Sequence, residues 1–88
     1  MDTLKGTARR ILDGQTFELA VKEIGEASRL HYENVERIRI VTLNSREIGK
    51  QEGEQATVLL ERKLMGREIF CDVVARFKTH IAAKVKLL

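Results

Sequence analysis

The sequence contains no proline, no tryptophan, one cysteine and four aromatic residues among 88. A single cysteine, Cys71, excludes an internal disulfide, and no CxxC pair or Cys/His cluster has the spacing of a zinc site. No stretch approaches the roughly 20 apolar residues that a membrane helix requires. The first residues also lack the basic segment and apolar block of a secretory signal. These absences predict a cytoplasmic protein with no metal, no cofactor and no membrane contact.

The chain also lacks a visible internal boundary. It has no repeat and no tract rich in serine, glycine or proline, so we predict one domain over residues 1–88. Sixteen Lys+Arg against thirteen Asp+Glu give a formal charge of +3. That excess permits attraction to a polyanion, but the two signs are interleaved along the chain. Composition alone therefore fits nucleic-acid binding and a solvated surface of mixed charge equally well.

Local patterns predict five strands and one helix. The predicted strands cover residues 3–12, 17–22, 35–43, 68–75 and 81–87, and the predicted helix begins near residue 52 and ends at residue 64. We expect Gly6 to mark a bulge, residues 13–16 to form a hairpin turn, and Gly66 to end the helix. Residues 23–34 fit either a long connection or a short helical turn. The order of three strands, a helix and two strands is typical of an oligonucleotide/oligosaccharide-binding (OB-fold) β-barrel with one helix, an α+β fold.

The third strand leads into a short polar loop, and the stretch Arg37–Glu47 contains both. Arg37 and Arg39 alternate with Ile38 and Ile40, so their guanidinium groups point away from the face that the isoleucines bury. A charged side chain on the outer face of a core strand, just before a loop, is a common way for a small barrel to present a binding site.

Four short motifs follow one another along nearly the whole chain. They are Ile11-Leu12-Asp13-Gly14-Gln15-Thr16-Phe17, the stretch from Arg39 to Glu47, Gly53-Glu54-Gln55-Ala56 followed by Leu59-Leu60, and Leu64-Met65-Gly66-Arg67-Glu68-Ile69. In that order they resemble four motifs of the staphylococcal nuclease (thermonuclease) family. The family motifs are the Val-Ile-Asp-Gly-Asp-Thr-Phe hairpin, the Arg-Leu-x-x-Ile-Asp-Thr-Pro-Glu stretch, the Gly-x-x-Ala helix start and the Leu-x-Gly-Lys-x-Val helix exit. The resemblance implies a nuclease-like barrel.

That family hydrolyses phosphodiesters with one calcium ion, and its site residues carry over unevenly. Its two calcium-binding aspartates correspond to Gln15 and Asn44, and neutral amides offset little of the cost of dehydrating a hard divalent cation. Its general base and first phosphate-binding arginine correspond to Glu47 and Arg39. Its second arginine falls at Thr79. The resemblance therefore implies a vestigial site at these five positions, with no calcium and no catalysis.

We interpret the chain as a catalytically inactive nuclease-like barrel that binds nucleic acid, either DNA or RNA. Replacing two aspartates by amides makes the former active-site face more positive and less repulsive toward phosphate. The candidate contacts are Arg39, Arg37, Arg46, Lys78 and Arg76. In the purely structural alternative, Gln15 and Asn44 hydrogen-bond across the loop while Arg39 and Glu47 form an ion pair.

Two other functions stay open at this stage. One is a protein-interaction or assembly module that does not bind nucleic acid. The family continues past the fifth strand into covering helices, whereas this sequence stops at Lys86-Leu87-Leu88. We therefore expect the fifth strand to have an unpaired edge, and we predict a homodimer through this C-terminal strand. A monomeric piece of a longer protein is the competing explanation. The other function is a divergent nuclease with a different metal arrangement around Glu47, Asp13 and Asp72.

The remaining polar and aromatic residues add weaker signals. A basic track is possible on solvated strand faces, and its candidates are Arg9, Arg10, Arg37, Lys84 and Lys86. We expect Phe17 and Phe70 in the core, which leaves Tyr32 and Phe77 for stacking and argues against strong single-strand binding. Cys71 is expected to be a small buried hydrophobe, and His31 and His80 are expected to be exposed loop residues.

Overall fold

The computed structural model describes residues 1–44 and 54–88 of the chain. Its elements are β1 (Thr3–Asp13), β2 (Thr16–Ile24), β3 (Val35–Asn44), α1 (Glu54–Leu64), β4 (Glu68–Arg76) and β5 (Ile81–Leu87). The predicted order of three strands, a helix and two strands is confirmed. The predicted boundaries agree to within two residues, because the turn residues that end each strand are local signals.

The five strands close into a barrel in the order β1-β2-β3-β5-β4. The β3–β5 pair is parallel, and the other four pairs are antiparallel. β5 therefore has a hydrogen-bonded neighbour on each side. Its residues Ile81 to Leu87 pair with β4, and its residues Ile81 to Lys86 pair with β3. The expectation that the last strand has an unpaired edge is wrong, because closure against β3 uses that edge. The homodimer stays a prediction, but it cannot form by pairing of two β5 edges.

The predicted bulge at Gly6 is confirmed by a register shift between Lys5 and Gly6 in the β1–β2 pair. A Cβ atom at this position would collide with the backbone carbonyl of Ala20 on β2. Only glycine permits this close approach of the two strands, so the residue is fixed by packing.

Buried apolar side chains form one cluster inside the barrel. The cluster consists of Leu4, Ala8, Phe17, Leu19, Tyr32, Ile38, Leu60, Leu64, Ile69, Cys71, Ile81, Ala83 and Val85. On the strands these residues recur with a period of two, as expected for a sheet with one buried face. Burial raises the pKa of the Cys71 thiol to about 12, consistent with the expected role as a small hydrophobe rather than a nucleophile.

Phe70 does not belong to that cluster, contrary to expectation. Ile69 and Cys71 on either side of it are fully buried, and Phe70 is half-buried on the outer surface of β4. Val74, on the same strand, is 54% exposed. Because β4 has apolar residues on both faces, its sequence pattern does not show which of them point into the core and which point outward.

The helix ends as predicted. Leu64 is its last residue, and Gly66 follows with a left-handed φ of 73°. The Gly66 N–H donates to the carbonyl of Ala8 (3.0 Å), and the Ala8 N–H donates to the carbonyl of Arg67 (3.3 Å). The helix exit is thus attached to β1, where Leu64 is buried in the core.

Residues 25–34 form a connection without a helix, which answers the alternative left open by the sequence. The Asp2 carboxylate accepts hydrogen bonds from the Arg29 N–H (2.9 Å), the Leu30 N–H (3.0 Å) and the Tyr32 O–H (2.7 Å). These bonds lower the pKa of Asp2, with the Tyr32 hydroxyl as the largest cause. The expectation of an exposed Tyr32 is wrong: the residue is 6% exposed.

Glu36 and Arg76 extend this network. Glu36 is a buried carboxylate whose Oε2 accepts from the Glu33 N–H (2.8 Å) and from Arg76 Nη1 (3.2 Å). The Arg76 guanidinium lies 5.2 Å from the centre of the Tyr32 ring, within cation–π range. We call Asp2, Tyr32, Glu36 and Arg76 the anchoring network, since together they hold the 25–34 connection against the barrel.

Candidate nucleic-acid interface

An open cleft of about 520 Å³ lies between the β1–β2 hairpin and the β4–β5 turn. We call it the first cleft. Its walls are formed by Leu12, Asp13, Gln15, Thr16, Arg37, Arg39, Thr79 and His80. Three separate parts of the chain therefore supply its polar groups: the hairpin, the outer face of β3 and the turn before β5.

The hairpin is fixed in position by hydrogen bonds of the Gln15 backbone. The Gln15 N–H donates to Asp13 Oδ1 (2.8 Å), which closes the turn that the Asp-Gly sequence predicts. The Ile40 N–H donates to the Gln15 carbonyl (2.7 Å), and Thr16 lies opposite Arg39 in the β2–β3 pair. The turn is thereby held beside the arginines of β3.

Arg37 and Arg39 form the cationic wall of the first cleft. Both are exposed, and Ile38 between them is fully buried, so the predicted alternation along β3 is confirmed. Within residues 1–44 and 54–88, neither guanidinium forms an ion pair; Glu18, opposite Arg37 in the sheet, pairs with Arg9 (3.6 Å). Exposed arginines that lack an internal anion remain available to an external one.

The β4–β5 turn supplies the third wall and an aromatic pair. The Phe77 N–H donates to the His80 carbonyl (2.8 Å), and the two rings stack with centroids 4.9 Å apart at 28°. Phe77 is 52% exposed, and Thr79 Oγ1 lies 3.1 Å from His80 Nδ1. The turn thus places the His80 imidazole in the first cleft and the exposed Phe77 ring against that imidazole.

The structure brings some of the predicted site residues together and separates others. Gln15, Arg39 and Thr79, which come from distant parts of the sequence, all line the first cleft, and so does Arg37. Arg46 and Glu47 lie outside the described residues, as does the side chain of Asn44, whose backbone ends β3.

Two other candidate contacts are placed differently. Lys78 is exposed in the β4–β5 turn, next to the lining residue Thr79. Arg76 is bonded to Glu36 and does not line the first cleft. His31 lies 3.4 Å from Glu33 and, as expected, is exposed.

The described part of the first cleft does not fit a calcium ion. Its one carboxylate among the described lining residues is Asp13, whose Oδ1 already accepts the turn hydrogen bond. Gln15 offers a neutral amide in place of an anionic ligand. Asp72 lies in another cleft, and the described residues contain no group of three or more His, Cys, Asp or Glu side chains that could hold a metal.

A second cleft, of about 250 Å³, lies on the outer surface of the barrel and was not predicted from the sequence. Its lining residues are Thr42, Phe70, Asp72, Lys84, Val85 and Lys86. The two lysines were candidates for a basic track, but Phe70 was expected in the core. The alternation of Lys84 and Lys86 with the buried Ala83 and Val85 was the available signal that this face points outward.

No protein-family model, curated protein or solved structure matches this chain. Across the described residues, no helix has the length and apolar character needed to cross a membrane.

Proposed function

We propose that this chain is an OB-fold barrel of the staphylococcal nuclease type that has lost calcium-dependent hydrolysis and binds nucleic acid in the first cleft. The observation that carries the proposal is the exposed pair Arg37 and Arg39, which line a cleft and have no ion-pair partner among the described residues. The closed barrel, with a helix between β3 and β4 and a parallel β3–β5 pair, supports the OB assignment.

Phosphate is the ligand group that this wall suits best. A guanidinium presents several N–H donors in a planar fork that matches phosphate oxygens, and two arginines at alternate positions on one strand face lie about 7 Å apart. Thr16, Thr79 and His80 add neutral or weakly basic donors around them. Attraction to a phosphate backbone requires no base recognition, so the proposal covers DNA and RNA.

The same residues argue for binding without cleavage. Gln15 stands where the nuclease family has a metal-binding aspartate, and Thr79 stands where it has a second arginine. Without the metal and the second cation, the described residues provide little stabilisation for the charge that develops on a phosphoryl group under attack. The cytoplasmic location and the single domain stay predictions that accompany this proposal.

A polarisation titration with labelled single-stranded and double-stranded DNA and RNA tests the proposal. We expect binding at low salt that weakens steeply as salt is added, because bound phosphates release counterions. Arg39→Ala should weaken binding about tenfold, the size of one charge-assisted hydrogen bond. It should also lower the slope of log affinity against log salt by about 0.7–0.9, the value for one phosphate contact.

Arg67→Ala serves as the matched control, since Arg67 is exposed and does not line the first cleft. Both variants should keep the free energy of unfolding within about 0.5 kcal/mol of the parent protein. Absence of binding to every probe at low salt, or equal weakening by the two variants, would refute the proposal.

A second candidate, a homodimeric interaction module, is favoured by apolar residues beside β5. Val41 and Val74 are 51% and 54% exposed, and each lies at a register shift in a strand paired with β5. Because β5 has no free edge, such a dimer would join outer barrel surfaces rather than strands. Light scattering over a concentration series should show a dimer that Val74→Asp dissociates; a monomer at every concentration would rule this candidate out.

A further inference from the structure

The two clefts lie on the same outer surface of the parallel β3–β5 pair. Arg39 on β3 is opposite Ala82 on β5, Thr42 is opposite Lys84, and Asn44 is opposite Lys86. Side chains on one face of a strand recur every second residue, and the inward positions of β5 are Ala83 and Val85. Lys84 and Lys86 therefore point outward, on the same face of the strand pair as Arg39 and farther along it.

The spacing of these cations is regular. From the level of Arg37 to that of Lys86 the strand pair advances by six residues, which is about 20 Å at 3.3 Å per residue. Both lysines are exposed, and neither forms an ion pair within residues 1–44 and 54–88. OB-fold barrels that bind single strands contact about 4–16 nucleotides each, and a path of this length fits the lower part of that range.

Each cleft also combines two cations with an aromatic ring. In the first cleft, His80 stacks on the exposed Phe77 beside the two arginines. In the second cleft, Phe70 lies with Lys84 and Lys86. Rings beside a cationic groove are the elements with which proteins bind single strands, because an unpaired base can stack on a ring while its phosphate contacts a cation. Bases inside a duplex are not available for such stacking.

We infer that the chain binds single-stranded nucleic acid along the β3–β5 surface, from the first cleft to the second. This inference rests on the proposed function and specifies its substrate. Arg37 and Arg39 contact the phosphates at one end, Lys84 and Lys86 contact those at the other, and the Phe77–His80 pair and Phe70 each receive a base. The two rings available for stacking are not the two expected from the sequence: Tyr32 is buried, and Phe70 takes its place at the surface, beside Lys84 and Lys86.

Asp72 is the one anionic residue among the described residues that line the second cleft. It lies opposite Lys84 in the β4–β5 pair, and its Oδ1 is buried without a hydrogen-bond partner among the described residues. A negative charge beside the two lysines weakens their attraction for phosphate. The isosteric substitution Asp72→Asn removes that charge and should therefore strengthen binding, an effect that loss of folding cannot imitate.

The experiment compares labelled oligothymidines of about three and about ten nucleotides, together with a duplex of the longer length. The variant is Lys84→Gln with Lys86→Gln, and its matched control is Lys22→Gln with Arg62→Gln, two exposed cations on other surfaces. For the longer strand we expect the variant to bind about tenfold more weakly, with a salt slope lower by about 1.4, or 0.7 for each of two lost phosphate contacts. The short strand should bind the variant and the parent protein equally.

Asp72→Asn should bind the longer strand about threefold more tightly, because one repulsive charge is removed near the phosphates. The control should bind as the parent protein does, and the duplex should bind more weakly than the longer strand. Equal binding of the short and longer strands, with Arg39-dependent binding of both, would overturn the extended path and leave the proposed function standing. No binding of any strand would overturn both.

Discussion

Arg39 and Arg76 show two uses of arginine on one small barrel. Arg76 bonds to the buried Glu36 and lies over the ring of Tyr32, so its charge is satisfied within the fold. Arg39 lines the first cleft and has no such partner among the described residues. Both arginines were candidates for nucleic-acid contact by sequence. The difference teaches that the position of the nearest carboxylate decides whether an arginine stabilises the fold or remains available to a ligand.

The largest expected effect breaks the anchoring network at its aromatic centre. Tyr32→Ala removes a buried ring and the hydroxyl that donates to Asp2, and it should lower the free energy of unfolding by about 3–5 kcal/mol. Denaturation with urea measures this. Arg39→Ala, measured in parallel, should change the free energy by less than about 0.5 kcal/mol. A loss below about 1 kcal/mol for Tyr32→Ala would show that the 25–34 connection does not need the ring.

An intermediate effect tests the comparison at Arg76. Among the described residues, Arg76→Gln leaves the Glu36 carboxylate with one hydrogen-bond partner, the Glu33 N–H, and this should cost about 1–3 kcal/mol of stability. Nucleic-acid affinity should stay unchanged, because the guanidinium does not line the first cleft. Arg67→Gln is the control for loss of an exposed charge. A variant that lost affinity and kept its stability would place Arg76 with Arg39 and remove the distinction.

The smallest effect depends on pH and concerns Asp2. Its hydrogen bonds lower its pKa in the folded state below the unfolded value of 3.8. The stability contributed by the ionised carboxylate is therefore fully present above pH 3.8 and is lost as the pH falls toward the lower folded pKa. The stability difference between the parent protein and Asp2→Asn should shrink over that acidic window, as measured by urea denaturation at several pH values. A difference independent of pH would contradict the assignment.

Much of the fold followed from local signals. The turn at Asp13–Thr16, the bulge at Gly6 and the helix end at Gly66 depend on backbone requirements that a few neighbouring residues satisfy. The inward face of β3 was also predictable, since Ile38 and Ile40 alternate with arginines. Part of the candidate site followed as well: the motif resemblance assigns Gln15, Arg39 and Thr79 to one site, and all three line the first cleft.

Other features could not be read from the sequence because they depend on distant partners. Tyr32 is buried because its O–H donates a hydrogen bond to the carboxylate of Asp2, thirty residues away, and this bond fixes the connection. Phe70 points outward, and the sequence does not show this because β4 carries apolar residues on both of its faces. The unpaired edge expected for β5 does not exist, because the parallel pairing with β3 closes the barrel.

The sequence by itself determined the order of the elements, the turns and the presence of cations on the outer face of β3, because each of these depends on spacing within a few residues. Only the tertiary structure decided which cations meet. Closure of β5 against β3 sets Arg37 and Arg39 in line with Lys84 and Lys86 and brings the β1–β2 hairpin to the β4–β5 turn. Strand register is a long-range property, fixed by the packing of the whole core rather than by any one segment.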